Sequence, residues 1–374
     1  SIIGGSIAKN MMPAEKIGEL YDFIIAFSSN DNIPCDYRIV PLRSLVGAVG
    51  NLDFERFSLV LNLVFTLSIT YVERENRIPT EYFDLIEKSL VTLPVKDVYK
   101  MLKDRIVQLH SLNNPKAEVV SIVIYSLIFD LAPEIAFADV DSIISDLMSA
   151  LDRNDELLSV AVCIVLGTFQ DSFHFIDVYA PPFLPKIVPF IVSPNNELRQ
   201  QANNALGTLC DIISAPVPNF FEALWSFKDS IPSTEIDTYL DHLSSSIQKS
   251  VNFTDDKASE VVKFVLPFLS NPDVEISSNF LTVVGTLVSI DEALVSELLP
   301  PSMNVIMNCF NSPDSSEFAE KQCLYFIVKI YESYGDKFNE QFKPAVQTVV
   351  NLLSTDENEA DEGNGNAIPL SIRS

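Results

Sequence analysis

Histidine is scarce in this chain: there are three in 374 residues, His110, His174 and His242, separated by 64 and 68 positions. None stands at HxxxH or ExxH spacing, the spacings that would put two ligands for one metal ion on one helix face. Glycine is scarce too, at 11 residues, and no P-loop, GxGxxG or GxSxG pattern occurs. That removes phosphate-cradling loops and nucleophile elbows. The five cysteines, Cys35, Cys163, Cys210, Cys309 and Cys323, form no CxxC pair. An odd, scattered set of thiols in apolar segments reads as free cysteine in a reducing compartment. Cys163 and His174 fall on a packing helix and its exit loop, a poor setting for a nucleophile and its base. No metal, no cofactor and no enzymatic activity are expected.

Basic residues are few as well, 25 against 51 acidic ones, for a net charge of -26. Such a surface repels nucleic acid and anionic lipid and attracts basic partners, so direct nucleic-acid binding is not expected. No apolar stretch reaches the roughly 18 to 20 uninterrupted residues of a membrane span, and neither end shows a secretory signal. Membrane insertion is not expected, and the cytoplasm or nucleus is the expected location. Residues 252–254 read as a glycosylation sequon, taken as chance without such a signal.

What the sequence does contain is repetition. Val46-Gly47-Ala48, Leu166-Gly167-Thr168, Leu206-Gly207-Thr208 and Val284-Gly285-Thr286 lie 120, 40 and 78 residues apart, near-multiples of one unit of about 40. A period of that length without strand-like alternation predicts an all-α fold, an α-solenoid of antiparallel helix pairs in the HEAT/armadillo size range. The glycines are read as close helix crossings, where a missing Cβ lets a neighbour approach; on that reading a leucine at Gly207 would overpack the junction. A second marker agrees: residues 188–197 match residues 266–275, again 78 apart. In both, an apolar helix stops at Pro, Asn or Asp and another begins, the signature of a tight interhelical turn. Similar breaks fall near Asp31, Glu75, Asn114, Asn154, Pro232 and Pro313.

Between these turns apolar residues recur at helical spacing. Leu198, Ala202, Ala205, Leu206, Leu209, Ile212 and Ile213 share one side, with Arg199, Gln200, Asn203 and Asn204 opposite. Segments 140–151, 158–169, 261–269 and 318–331 read similarly, with apolar stripes wide enough to need neighbours on two sides. The expected organisation is one array over residues 1–374, of about eight to nine units forming a right-handed superhelix, interrupted by a flexible acidic loop at 354–365. Both ends read as truncated within helical patterns, with apolar surface expected there and self-association as its consequence.

In that loop Asp356, Glu357, Glu359, Asp361 and Glu362 stand without a base, and Gly363 and Gly365 interrupt helical propensity. It reads as a solvated linker or a candidate site for a basic partner. It does not suit a calcium loop, since Ala360 and Asp361 fill the fifth and sixth places counted from Asp356. Phe220, Phe221 and Trp225 group after Pro216 and Pro218 as core or as a docking pocket. Pro185, Pro189, Pro267, Pro301 and Pro344 are expected to bend the first helices of their repeats.

Residues 195–211, NNELRQQANNALGTLCD, resemble the HEAT signature, with Arg199, Ala202, Ala205, Leu206 and Gly207 at its marked positions. The glycine is replaced by Glu87, Leu127, Ser246 and Ile327 in other repeats, and the Asp/Arg ladder is complete only near Arg199. SIAKNMMPAEKIGELYDFI near the start and KIYESYGDKFNEQFKPAVQTVVNLL before the acidic loop are similar to repeats of the importin-β superfamily of nuclear transport receptors. That resemblance implies no bond chemistry. It implies binding of basic cargo proteins, contact with FG-repeat nucleoporins, release by the small GTPase Ran in its GTP form, and shuttling between cytoplasm and nucleus through the pore. The alternative is a HEAT-repeat scaffold or regulatory subunit of a multiprotein complex; irregular repeats and the acidic insertion favour the receptor.

Overall fold

The computed structural model describes residues 14–43, 54–91, 93–169, 176–312 and 315–348. They fold almost wholly as helix; among them there is no strand, only an isolated bridge between Val217 and Ser250. The principal helices are α1 (Ala14–Ser28), α2 (Cys35–Arg43), α3 (Phe54–Glu75), α4 (Thr80–Leu90), α5 (Val95–Ser111), α6 (Pro115–Leu131), α7 (Val140–Asp152), α8 (Glu156–Gly167) and α9 (Asn196–Ile212). They continue as α10 (Phe220–Trp225), α11 (Ile236–Lys249), α12 (Asp255–Leu269), α13 (Leu281–Ile290), α14 (Val295–Asn311) and α15 (Glu317–Tyr334). Residues 339–348 are helical again.

The helices pair into hairpins that pack in chain order, the all-α repeat architecture expected. Turns fall where the sequence breaks, at 29–34, 76–79, 112–114, 153–155, 193–195 and 270–273. Two devices build them. Asn76, Asn113 and Asn154 adopt left-handed backbone, φ 49°, 49° and 54°, closing the first helix of a hairpin. Asparagine tolerates that region better than most side chains. Asn114, Asp155, Asn195, Asp273 and Ser316 then cap the next helix by accepting backbone N–H bonds.

Second helices stack on one another. α6 packs against α5 and α8, and α8 against α9; α11 packs against α13, and α13 against α15. Being covered on both sides, α6, α8 and α13 are buried along nearly their whole length, including Val119–Phe129 and Leu281–Val288. α9 buries Leu198, Ala202, Ala205, Leu206 and Leu209 as its pattern requires, and also Asn203, which the pattern had placed on the polar side. Prolines act in the first helices: 176–192 is broken into short α and 3-10 turns around Pro181, Pro182, Pro185 and Pro189, while Pro267 and Pro301 sit inside α12 and α14.

Gly167 and Gly285 need a different explanation from close crossing. A Cβ on Gly167 would meet nothing within 4 Å, because this residue ends α8 facing open space. At Gly285 a Cβ would lie 3.5 Å from Phe326 Cδ2, an ordinary contact. Gly207 is half-buried within α9, and Gly47 lies outside the described residues.

Packing groups the chain into two compact units, Ser1–Ile213 and Ser214–Ser374, where the sequence reads as one run. The division falls where Ile213 leaves α9 in extended backbone and Pro216 and Pro218 bar the helix from resuming. No single described helix is long and apolar enough to cross a membrane; the pair Pro115–Leu131 and Pro133–Asp152 passes only jointly and bends by 117°.

Candidate partner-binding surfaces

Polar ties between successive hairpins recur at about one repeat. Asn114 Nδ2 donates to Glu73 Oε1 at 2.8 Å and Lys116 Nζ to Asn76 Oδ1 at 2.7 Å. Arg153 pairs with Glu118 at 2.5 Å, Thr282 Oγ1 donates to Gln322 Oε1 at 2.6 Å, and Ser316 donates from N and Oγ to the Glu275 carboxylate. Lys103 and Tyr99 both bond Asp139, whose carboxyl is held below its ordinary value chiefly by the Lys103 bond. Arg199, the signature arginine, donates to Ser193 O at 2.9 Å and Asn196 Oδ1 at 2.7 Å. It fastens the turn before α9. These charges are spent on register.

Some carboxylates have no such use. Asp130, at the end of α6, is half-buried and faces Glu87 of α4; neither side-chain carboxylate makes a hydrogen bond or ion pair among the described residues. Loss of water, then Glu87, pushes the Asp130 carboxyl up to about 6. Asp241 of α11 is likewise raised to about 6 by desolvation and by Asp237, although it keeps an open edge to solvent. Two anions held together without a base form a receptive place for a cation from outside.

A cleft of about 690 Å³ opens between the hairpins α5/α6 and α7/α8. Leu109, Val119, Ile122 and Leu158 line its apolar floor, with His110 and Arg153 at the rim. His110 Nε2 is 2.9 Å from Ser121 Oγ.

In the second unit an aromatic cluster joins the first helices α10 and α12. Phe221 stacks on Trp225 at 5.5 Å, Trp225 meets Phe264 edge-on at 5.4 Å, and Phe268 stacks on Phe280 at 4.2 Å. Phe220, Phe221 and Phe280 are core, whereas Trp225, Phe264 and Phe268 remain half-exposed. The Lys228 ammonium sits 5.3 Å from the Trp225 ring centre. Of the group read as core or docking pocket, Phe220 and Phe221 are core and Trp225 is half-exposed.

Asp356, Glu357, Glu359, Asp361 and Glu362 lie outside the described residues, as does His174. Cys163, Cys210, Cys309 and Cys323 are buried thiols outside any disulfide, and burial pushes the Cys163 thiol up to about 12. The Asp130–Glu87 pair escaped the sequence reading. Its signal was present in Glu87, an acid in the slot where other repeats have glycine, about one period before Asp130.

These features define a helical-hairpin repeat protein whose uncommitted groups are carboxylates and aromatic rings. No family model and no curated protein matches the chain. Among solved structures it is similar to the karyopherin Kap121p, crystallised bound to the extreme C-terminus of the protein phosphatase Cdc14p. The match has a TM-score of 0.43 and 13% identity, and covers 95% of this chain and 37% of that one. The chain spans little more than a third of the length of that karyopherin.

Proposed function

We propose that this chain is the protein-binding part of an importin-like transport receptor. Its acidic side chains take basic segments of cargo proteins, and Ran in its GTP form governs release. The observation that carries the reading is the Asp130–Glu87 pair, half-buried and without a base. A lysine or arginine from a partner removes their mutual repulsion and gains a charge-assisted bond in a partly desolvated place. The net charge of -26 draws such a partner in at long range. The motif resemblance of residues 6–24 and 329–353 supplies the transport context, with shuttling through the nuclear pore as its setting. The half-exposed rings of Trp225, Phe264 and Phe268 suit phenylalanine side chains of FG-repeat nucleoporins.

The test is capture of a fluorescent Lys/Arg-rich nuclear-signal peptide by the purified chain, with Ran-GTP and Ran-GDP as competitors. Release by Ran-GTP alone supports the receptor. Peptide capture indifferent to Ran leaves a HEAT-repeat scaffold that binds basic segments, and no capture overturns the reading.

A further inference from the structure

The α14–α15 hairpin holds two thiols face to face. Cys309 stands in the last turn of α14 and Cys323 in the second turn of α15, both 0% exposed, where the two helices pack on one another. The Cys323 thiol donates a hydrogen bond to the Cys309 sulfur, which also lies 3.1 Å from Ser315 Oγ in the connection between the helices. Sulfurs in contact across adjoining helices are what a disulfide requires. The pair is asymmetric. The bond from Cys323, with help from Ser315, lowers the Cys309 thiol despite its burial, whereas Cys323, as the donor, is pushed up. Glu320 and Glu275 oppose a thiolate at either sulfur. A disulfide carries no charge, and neither carboxylate opposes it. Cys163 lacks this setting: it is as deeply buried, but burial alone acts on it and raises its thiol.

The geometry points to a redox modification site, at which hydrogen peroxide converts Cys309 and Cys323 to a disulfide that ties α14 to α15. Cys309, its proton released to solvent, attacks one peroxide oxygen. The O–O bond breaks, the other oxygen leaves as hydroxide, which takes up a proton, and a sulfenic acid remains on Cys309. The Cys323 sulfur then attacks the Cys309 sulfur; the S–O bond breaks, and that oxygen leaves as water with the Cys323 proton. Two electrons pass from the thiol pair to the peroxide, which ends as two waters. So small an oxidant needs only local opening at the end of α14, not loss of the fold.

The test treats the folded whole chain with excess hydrogen peroxide, removes the peroxide with catalase, denatures the chain in N-ethylmaleimide and maps tryptic peptides by mass spectrometry. Cleavage after Lys263, Lys321 and Lys329 puts the two cysteines on separate peptides, 264–321 and 322–329. These are expected to appear joined within hours and to separate on treatment with dithiothreitol, while Cys163 is recovered as its maleimide adduct. Cys323→Ser keeps a hydroxyl donor beside Cys309, so oxidation should stop at a sulfenic acid trapped by dimedone. Cys309→Ser should leave Cys323 a thiol. Mapping of the wild type decides the matter whether or not the variants fold. Recovery of Cys309 and Cys323 as separate maleimide adducts overturns the inference. Linkage that appears only as Cys163 also reacts would mean that unfolded chain is being oxidised, and overturns it equally.

Discussion

Asn76, Asn113 and Asn154 show how little sequence a repeat boundary needs. Each holds a left-handed φ near 50° that a branched side chain resists, so the residue type is set by one backbone angle. Asn113→Val is expected to lower stability by about 1 to 2 kcal/mol, while Asn113→Gly is tolerated; thermal unfolding separates them. The triplets at Gly167 and Gly285 were legible as register marks but not as close crossings. Gly167 has open space where a Cβ would go and no left-handed backbone, so Gly167→Ala should raise stability by about 0.5 kcal/mol by the same assay. His242 is a different kind of residue, invisible to motif reading because its burial depends on neighbours from other helices. Its Nε2 has no partner and desolvation lowers its pKa to about 4. A folded-state value below the unfolded one, about 6.5, means that the unfolded chain takes the proton first. This contribution is therefore complete above pH 6.5 and lost as pH falls toward 4. His242→Leu should flatten that part of the stability curve, measured by denaturant unfolding at stepped pH.

At the scale of the element, helix beginnings carry more of the fold than helix interiors. Asn195 caps α9 alone, and Asn195→Ala should cost about 1 kcal/mol. Ser316 does two jobs: its Oγ accepts from Ala319 N while donating to Glu275 of the preceding hairpin. Ser316→Ala should therefore cost more than Asn195→Ala, since a carboxylate loses a donor along with the cap. Hydrogen exchange should show the first turn of α15 loosening while α9 is unchanged. The caps were readable because Asn, Asp and Ser before an apolar run have few other uses. The broken segment at 176–192 and the division after Ile213 were not, because proline marks where helix is disfavoured without saying how the chain then bends.

For the whole molecule, the excess of acid over base becomes specific only where folding sets two acids side by side. Glu87 and Asp130 belong to different hairpins and make no motif together; the repeat period alone brings them near. Holding them there opposes folding. Asp130 is raised above its unfolded value, so its ionised form destabilises the fold at neutral pH, and that penalty fades as pH falls through 6. Asp130→Asn should then stabilise the chain at pH 7 by on the order of 1 kcal/mol after solvent screening, with the difference closing below pH 5. A pair retained for a basic partner makes a second demand of opposite sign. Asp130→Asn or Glu87→Gln should weaken capture of a Lys/Arg-rich peptide severalfold, and wild-type capture should fall from pH 7.5 to 5.5 and with added salt. Fluorescence anisotropy beside thermal unfolding reads both at once. A variant that gains stability and keeps full peptide affinity would show that the pair is a tolerated strain of the repeat and that the basic partner binds elsewhere.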